Sequence, residues 1–259
     1  MQAVLFPMGL SVQMVLIVIV GVFLASFVDG IAGGGGLISV PAYLLAGLPV
    51  HLALGTNKMS ACIGTTVSTA RFIRNGYVDW KLAGPSILLA MTGSYFGTKL
   101  QLSVSEIYLK WLLLLILPFV AVVVLKQRSF PEKRGEIAPG KQLAIVLLAS
   151  LVIGTYDGFY GPGTGTFLLL IFCNFAKLDL RTASGNVKVV NLSSNIGGVT
   201  TALMNGKVFV ALGLIAAVAA ISGHYIGSGL AIKDGSRIVK PVILIVLMLL
   251  AVKVVTELI

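Results

Sequence analysis

The sequence predicts an all-α integral membrane protein with two inverted-topology repeats of about five helical segments each. Hydrophobic residues make up 57% of the 259 residues and charged residues 11%, whereas a soluble domain carries about 25% charged residues. The second half repeats the first, and one short segment in each half begins at a glycine cluster. These observations favour a duplicated membrane bundle with broken helices over a soluble fold.

The internal repeat relates residues that are 130 positions apart. Lys58 corresponds to Lys188, and upstream, where the offset is 128, Asp29 corresponds to Asp157. Further matches are Gly55 with Gly185, Asn75-Gly76 with Asn205-Gly206, and Gly93-x-x-x-Gly97 with Gly223-x-x-x-Gly227. The Gly-x-x-x-Gly pairs are typical of close helix packing in membranes. A duplicated membrane unit with matched helix breaks is the pattern of a secondary transporter.

Apolar segments define the elements and the domains. In the first repeat, residues 1–128, they lie near 9–28, 36–48, 56–74, 82–101 and 107–125. In the second repeat, residues 141–259, they lie near 141–156, 164–176, 184–204, 208–230 and 237–257. The first segment is interpreted as a retained transmembrane helix because no basic region precedes it. Residues 129–140 are polar and contain prolines, and are predicted to form a cytoplasmic linker.

The second segment of each repeat is too short to cross a membrane as a straight helix. Its 13 residues span about 20 Å, against a hydrocarbon core of about 30 Å. Each short segment follows a glycine cluster. We therefore expect two discontinuous helices whose breaks line a cavity enclosed by protein, because lipid cannot satisfy free backbone groups.

The distribution of basic residues favours one topology. If the repeats are inverted, thirteen Lys and Arg residues lie on the cytoplasmic side and four outside; if they are parallel, the division is ten to seven. The positive-inside rule therefore favours the inverted arrangement. The expected location is the inner, cytoplasmic membrane of the cell, with several crossings.

The glycine clusters are the first candidate for a binding site. They precede the short helices, where free backbone N–H groups and the helix dipole attract anions. Two such helix starts facing each other near the membrane midplane would form an anion site; close packing or a tight turn is the alternative. The candidate residues are Gly33, Gly34, Gly35, Gly36, Gly161 and Gly163.

Two lysines and a polar stripe accompany the clusters. Lys58 and Lys188 are placed about four residues into apolar helices, as anion-binding groups or as lysines that snorkel to the interface. The stripe on the helix face of Lys188 either binds an anion or bonds neighbouring helices. The candidate hydrogen-bonding residues are Asn57, Asn191, Ser194 and Asn195. The matching face of the first repeat, which is less polar, holds Thr56, Lys58, Ser60, Ala61, Thr65 and Ser68.

Asp29 and Asp157 are matched acidic residues immediately before the breaks. Each is a candidate for carrying a coupling proton, with a carboxyl group shifted towards its neutral form by desolvation. The rival interpretation, which we favour, is that each aspartate caps a helix, its carboxylate accepting hydrogen bonds from the N–H groups of the following turn.

The other reactive side chains carry no chemical prediction. His51 and His224 are not matched by the repeat and are expected to be packing or interface residues. Cys62 and Cys173 lie in apolar segments and are expected to be structural thiols. The sequence contains no metal-ligand spacing, nucleotide-binding motif or hydrolase motif, so neither a cofactor, a metal, nor a nucleic-acid partner is expected, and the chain is not expected to be an enzyme.

Four stretches of the sequence resemble the TauE/SafE family. They run from Phe27 to Gly36, from Gly55 to Lys58, from Tyr156 to Pro162 and from Lys188 to Gly198. The resemblance covers nearly the whole chain and implies a membrane permease for small sulfur oxyanions or sulfonates. Before Lys188 the sequence lacks the Thr-Asn pair that precedes Lys58. The two halves of the site are therefore predicted to differ chemically.

These inferences lead to one hypothesis and two alternatives. The hypothesis is a secondary transporter that moves a small sulfur-containing anion, such as sulfite or a sulfonate, by alternating access, with Asp29 or Asp157 as coupling candidates. Its expected partners are that anion and the lipid bilayer. The alternatives are an anion channel on the same scaffold and a membrane-embedded sulfur-handling enzyme, whose nucleophile would have to be Cys62 or Cys173.

Overall fold

The computed structural model describes residues 11–109, 111, 133–234 and 241. Eight helices of ten or more residues lie within these residues. They are α1 (Val12–Ala32), α2 (Gly36–Leu45), α3 (Val50–Arg74), α4 (Trp80–Ser103), α5 (Pro139–Phe159), α6 (Thr164–Asn174), α7 (Leu180–Met204) and α8 (Val210–Asp234). The predicted segments 107–125 and 237–257 fall almost entirely outside the described residues.

The helices divide into long apolar, short apolar and polar classes. In the described part of the chain, α1, α5 and α8 are long and apolar enough to cross a membrane. The helices α2 and α6, with 10 and 11 residues, are apolar but short, as the sequence predicts. The helices α3 and α7 are long, but they bury polar side chains in their middle turns. These polar faces turn towards the interior because neighbouring helices, not lipid, can satisfy them.

The central helices α3 and α7 begin earlier than the sequence suggested. Helix α3 starts at Val50 directly after Pro49, not near residue 56. Helix α7 starts at Leu180, where the carboxylate of Asp179 accepts a hydrogen bond from the Thr182 N–H at 3.0 Å, not near residue 184. The apolar runs located the hydrophobic middle of these helices, whereas the caps decide where the backbone becomes helical.

The central helices run antiparallel to each other. Gly55, near the start of α3, packs on the carbonyl oxygen of Lys207, just beyond the end of α7. Gly185, near the start of α7, packs in the same way on the carbonyl of Tyr77, just beyond the end of α3. Both glycines are required by this approach, since a Cβ would lie 1.9 Å and 2.1 Å from the respective oxygens.

The Gly-x-x-x-Gly motifs pack each repeat against the first helix of the other. In α4, Gly97 lies against the carbonyl of Thr155 in α5. In α8, Gly227 lies against the carbonyl of Phe27 in α1. Each repeat therefore supplies the glycine motif in one contact and the first helix in the other. Both contacts confirm the prediction that the motifs serve packing.

The described end of the linker joins polar loops of both repeats. Arg134 forms ion pairs with Asp79, which caps α4, at 3.1 Å and with Asp179, which caps α7, at 3.5 Å. The N–H of Gly135 donates to the carbonyl of Lys177 at 2.9 Å. Helix α5 begins at Pro139, so the linker ends at Ala138, two residues before its predicted limit of 140.

Candidate functional site

Two buried ion pairs connect the repeats through their matched residues. Lys58 of α3 donates to a carboxylate oxygen of Asp157 in α5. Lys188 of α7 donates to the backbone carbonyl of Asp29 in α1 and lies 3.3 Å from its carboxylate. All four residues are at most 9% exposed. At this burial a lone charge is strongly unfavourable, so each lysine stabilises the aspartate of the other repeat.

This pairing changes the expected role of the lysines. The sequence hypothesis had Lys58 and Lys188 near helix ends and free to attract an anion. Each instead occupies the ninth position of its helix, too deep for simple snorkelling, and its charge is neutralised by an aspartate. The formal charges of the two pairs sum to zero, so point charge alone gives the site no preference for an anion.

The aspartates also bind the starts of the short helices. The carboxylate of Asp29 accepts from the N–H of Gly35, directly before α2, at 3.1 Å. The carboxylate of Asp157 accepts from the hydroxyl of Thr164, the first residue of α6, at 2.9 Å. The bond of Asp29 fits the favoured cap interpretation, because its donor is a backbone N–H. The bond of Asp157 does not, because its donor is a side-chain hydroxyl.

A small cavity lies beside these pairs, between α1, α3, α7 and the two glycine-led helix starts. The centres of water molecules can occupy about 40 Å³ of it. One buried water needs about 10–15 Å³ measured in this way, so the cavity has room for about three waters or one ion of similar size. Of the predicted site residues, those that line it are Asp29, Gly34, Gly35, Gly36, Asn57, Lys58, Asp157, Gly161, Asn191 and Asn195.

Several donors on this cavity have no partner within the described protein. The side-chain amides of Asn57, Asn191 and Asn195 make no hydrogen bond to any described residue. The backbone N–H groups of Gly34 and Gly36 are likewise unpaired there. Buried polar groups normally find partners. These amides and N–H groups are therefore available to a small ligand or to water in the cavity.

Four predicted site residues do not line the cavity. Gly33 and Gly163 have positive φ angles of 79° and 87° and form the turns before α2 and α6. Lys188 and Ser194 stand behind the cavity, where Lys188 contacts Asp29 and Ser194 donates to Asp157 at 2.5 Å. For Gly33 and Gly163 the turn interpretation of the glycine clusters therefore accounts for their geometry.

The cavity also contains polar residues that were not among the predicted site residues. The hydroxyls of Ser26, Ser39 and Thr164 line it. Ser60 and Thr65, from the less polar face of α3, line it as well. On that same face, Thr56 accepts from the Phe209 N–H at 2.9 Å and Ser68 donates to the Thr65 carbonyl at 3.0 Å. These last two residues serve helix contacts, not the cavity.

His224 is the most important residue that the sequence hypothesis missed. Its side chain is buried, lines the cavity, and places Nε2 3.7 Å from the carboxylate of Asp29. At the position that the repeat matches to it, the other half has Ser94. Gly64 makes room for the ring, since a Cβ there would lie 2.5 Å from His224 Cδ2. The repeat matches Gly64 to Ser194, whose hydroxyl donates to Asp157.

The halves of the site differ chemically at the predicted position, where Asn57 lines the cavity and its match Val187 does not, and also around the two aspartates. Around Asp157 the supporting groups are two hydroxyls, from Ser194 and Thr164. Around Asp29 they are a backbone N–H and the imidazole of His224. A search for repeat positions that exchange a small residue for a large one would have found this difference in the sequence.

Comparison with known proteins gives the family. Residues 17–254 match the family described as "Sulfite exporter TauE/SafE". The chain belongs to the TauE/SafE family. The matched range covers nearly all of both repeats, including every residue of the two ion pairs.

Similar proteins are named as membrane transporters. The TauE/SafE chain is 33% identical over 251 residues to "Probable membrane transporter protein ORF9" of Sinorhizobium sp, covering 96% of this chain and 95% of the relative. It is 35% identical to "Probable membrane transporter protein YfcA" of Escherichia coli (strain K12), covering 86% and 82%. A "Probable membrane transporter protein" of Haemophilus influenzae is 31% identical, covering 96% and 98%. No solved structure is significantly similar to this chain.

These relatives make the TauE/SafE chain a multi-pass membrane protein of a transporter family, not of an enzyme family. Neither Cys62 nor Cys173 lines the cavity. Among the described residues no cluster of three or more His, Cys, Asp or Glu side chains is arranged to hold a metal ion.

Proposed function

We propose that this protein is a secondary transporter for a small sulfur-containing anion, such as sulfite or a small sulfonate. One observation carries the proposal: unpaired amide and backbone donors converge on a small cavity at the meeting point of two glycine-led helix starts. The family description, "Sulfite exporter TauE/SafE", supports the same class of substrate.

The chemistry of the cavity suits an oxyanion. Several N–H groups with free hydrogen-bonding capacity surround it, and the start of α2 adds the positive end of a helix dipole. Because each buried lysine is paired with an aspartate, hydrogen bonds and the dipole, not a free ammonium group, supply the attraction. The room for about three waters favours an ion of about four non-hydrogen atoms, the size of sulfite, over a long organic sulfonate.

The transport mechanism that we propose is alternating access by inverted repeats. The antiparallel course of α3 and α7 supports this topology, because equivalent helices of inverted repeats run in opposite directions. The repeats, residues 1–128 and 141–259, would rock against each other about the cavity, with residues 129–140 as their cytoplasmic connection. The proposed location is the cytoplasmic membrane. Proton coupling through Asp29 or Asp157 stays a prediction.

Flux measurements on the purified protein in liposomes test this function. We expect the protein to accelerate the movement of ³⁵S-labelled sulfite, and unlabelled sulfite on the opposite side to stimulate exchange. Asn195→Leu, which removes a free amide from the cavity, should reduce the flux. Asn205→Leu, at the exposed end of α7, is the control and should not. Flux of neither sulfite nor methanesulfonate above that of empty liposomes would reject the proposal.

The same experiment separates a transporter from a channel. A transporter exchanges labelled for unlabelled anion faster than it moves net charge, since its cavity must reorient with each anion. Net anion current without accelerated exchange would instead assign the scaffold to an anion channel.

A further inference from the structure

We propose that His224 takes up one proton when the cavity binds its anion. This inference rests on the proposed function, and it assigns the coupling proton to a residue that neither the repeat pattern nor the resemblance singled out. Four features of the structure carry it: the charge balance of the site, the position of His224, its unsatisfied nitrogen, and the space that Gly64 provides.

The charge balance creates the need for a proton. Lys58, Asp157, Lys188 and Asp29 are buried and cross-paired, so their formal charges cancel. An anion that enters this neutral site leaves one uncompensated negative charge in a medium of low polarity, which is unfavourable. A proton that enters with the anion removes this excess. Binding of the anion and of the proton are then reciprocally coupled.

The aspartates are poor acceptors for that proton. Protonating Asp157 would break its ion pair with Lys58, and protonating Asp29 would break its ion pair with Lys188. Protonating His224 leaves both ion pairs intact. The added charge also lies beside the carboxylate of Asp29, 3.7 Å from Nε2, which stabilises it.

The position of the ring fixes which nitrogen receives the proton. Nε2 faces the Asp29 carboxylate, so in the neutral ring this nitrogen carries the hydrogen. Nδ1 is buried and has no hydrogen-bond partner in the described part of the chain. The proton adds to the lone pair of Nδ1. It comes from the bulk solution as a hydronium ion that is left as water, which gives an imidazolium and breaks no other bond of the protein.

The surroundings of His224 contain few other charges. Asp29 faces it from α1, and Lys188 faces it from α7. On α3, Gly64 packs against the ring, and Lys58 lines the same cavity. Arg71, also on α3, is engaged elsewhere, since it donates to the carbonyl of Tyr225 and stacks on the Tyr225 ring at 4.2 Å.

The test is a calorimetric titration of the purified full-length protein. Sulfite and methanesulfonate are titrated in two buffers with different enthalpies of ionisation, so that the heat reports the protons taken up per anion bound. Methanesulfonate stays ionised throughout, and any proton that it brings must therefore go to the protein. We expect about one proton per anion, and an anion Kd that rises roughly tenfold per pH unit while the free imidazole is neutral.

Two variants assign this proton to a residue. His224→Gln should bind the anion more weakly and take up no proton, and its Kd should not change with pH. His51→Gln is the matched control: it removes the other histidine of the chain, which contacts Gln101 outside the cavity, and should behave like the wild type. His224→Asn serves as a second substitution if the first does not fold.

The outcomes are distinguishable. Anion binding by the wild type without proton uptake, or undiminished proton uptake by a folded His224→Gln or His224→Asn protein, overturns the role of His224 and leaves the proposed function intact. The pH slope of the wild-type Kd tests the coupling without any variant. Binding of neither anion by the wild type rejects the proposed function and this inference together.

Discussion

The backbones of Gly33 and Gly165 are in direct contact, so that a Cβ added to Gly33 would lie 2.6 Å from the carbonyl carbon of Gly165. This contact brings the breaks of the two repeats together and places the cavity between them. It also supports the turn and close-packing role that was the alternative for the glycine clusters. Some glycines permit the turns and the close approach, and others leave backbone N–H groups open to the cavity.

The Gly33 contact predicts a large effect of a single methyl group. Gly33→Ala should lower stability by about 2–4 kcal/mol, because the new Cβ meets backbone atoms and φ is +79°. Gly47→Ala is the matched control, since Gly47 has a φ of +90° but open space around it. Thermal unfolding in detergent measures both variants. Equal losses would mean that only the backbone angle matters, and that the contact between the breaks contributes nothing.

The crossed ion pairs predict non-additive stability. Lys58→Gln or Asp157→Asn alone should cost about 3–5 kcal/mol, because each leaves a buried charge without its partner. The double variant should lose clearly less than the sum of the two single changes. Thermal unfolding of the four proteins gives the coupling free energy. A sum within about 0.5 kcal/mol of the double-variant value would contradict the pairing.

The short hydrogen bond of Ser194 predicts a local effect on the Asp157 half of the site. Ser194→Ala should destabilise the protein by about 1.5–3 kcal/mol, because the hydroxyl donates to a charged carboxylate at 2.5 Å. Ser193→Ala is the neighbouring control, since the Ser193 hydroxyl donates at 2.8 Å to the Val189 carbonyl within its own helix. The loss should be at least twice as large for Ser194, and similar losses would refute a special role of this bond.

The antiparallel central helices predict where equivalent loops lie. Asn75 ends α3 and Asn205 ends α7, and both are exposed. In a background with Cys62→Ala and Cys173→Ala, single cysteines at these two positions should react with a membrane-impermeant maleimide from opposite sides of the membrane. Reaction of both from the same side would exclude the inverted topology.

The free amides predict a loss of affinity without a loss of stability. Asn191→Leu should weaken binding of sulfite by about 10–100-fold, because a hydrogen bond to a charged group contributes about 1.5–3 kcal/mol. Asn186→Leu is the control on the same helix. The Asn186 amide is not free, since it donates to the Thr182 carbonyl within α7 at 2.8 Å. This substitution should therefore lower stability but leave affinity unchanged. Titration calorimetry and thermal unfolding distinguish the two effects.

The sequence predicted most of the elements of the site but not their connections. The repeat identified Lys58, Lys188, Asp29 and Asp157 as matched groups, because a duplication preserves positions. It could not predict that each lysine would pair with the aspartate of the other repeat. That partner choice depends on the packing of α1 on α8 and of α4 on α5, which the repeat pattern does not encode.

The sequence misjudged two other features for physical reasons. His224 was interpreted as a packing residue because its counterpart, Ser94, has a different chemistry. Its place on the cavity depends on the space beside Gly64, which only the three-dimensional arrangement reveals. The lysines were placed too close to their helix ends, because hydropathy locates apolar runs and not caps. Both errors concern the surroundings of a residue and not its type.

The packing of Gly227 against Phe27 has a consequence for biogenesis. Helix α1 leaves the ribosome first, yet its partner α8 is synthesised about two hundred residues later at about 5–20 residues per second. For those tens of seconds the glycine-facing surface of α1 and the carboxyl group of Asp29 must be covered by lipid, water or the insertion machinery. The contact between α1 and α8 therefore forms only after nearly the whole described chain has been synthesised.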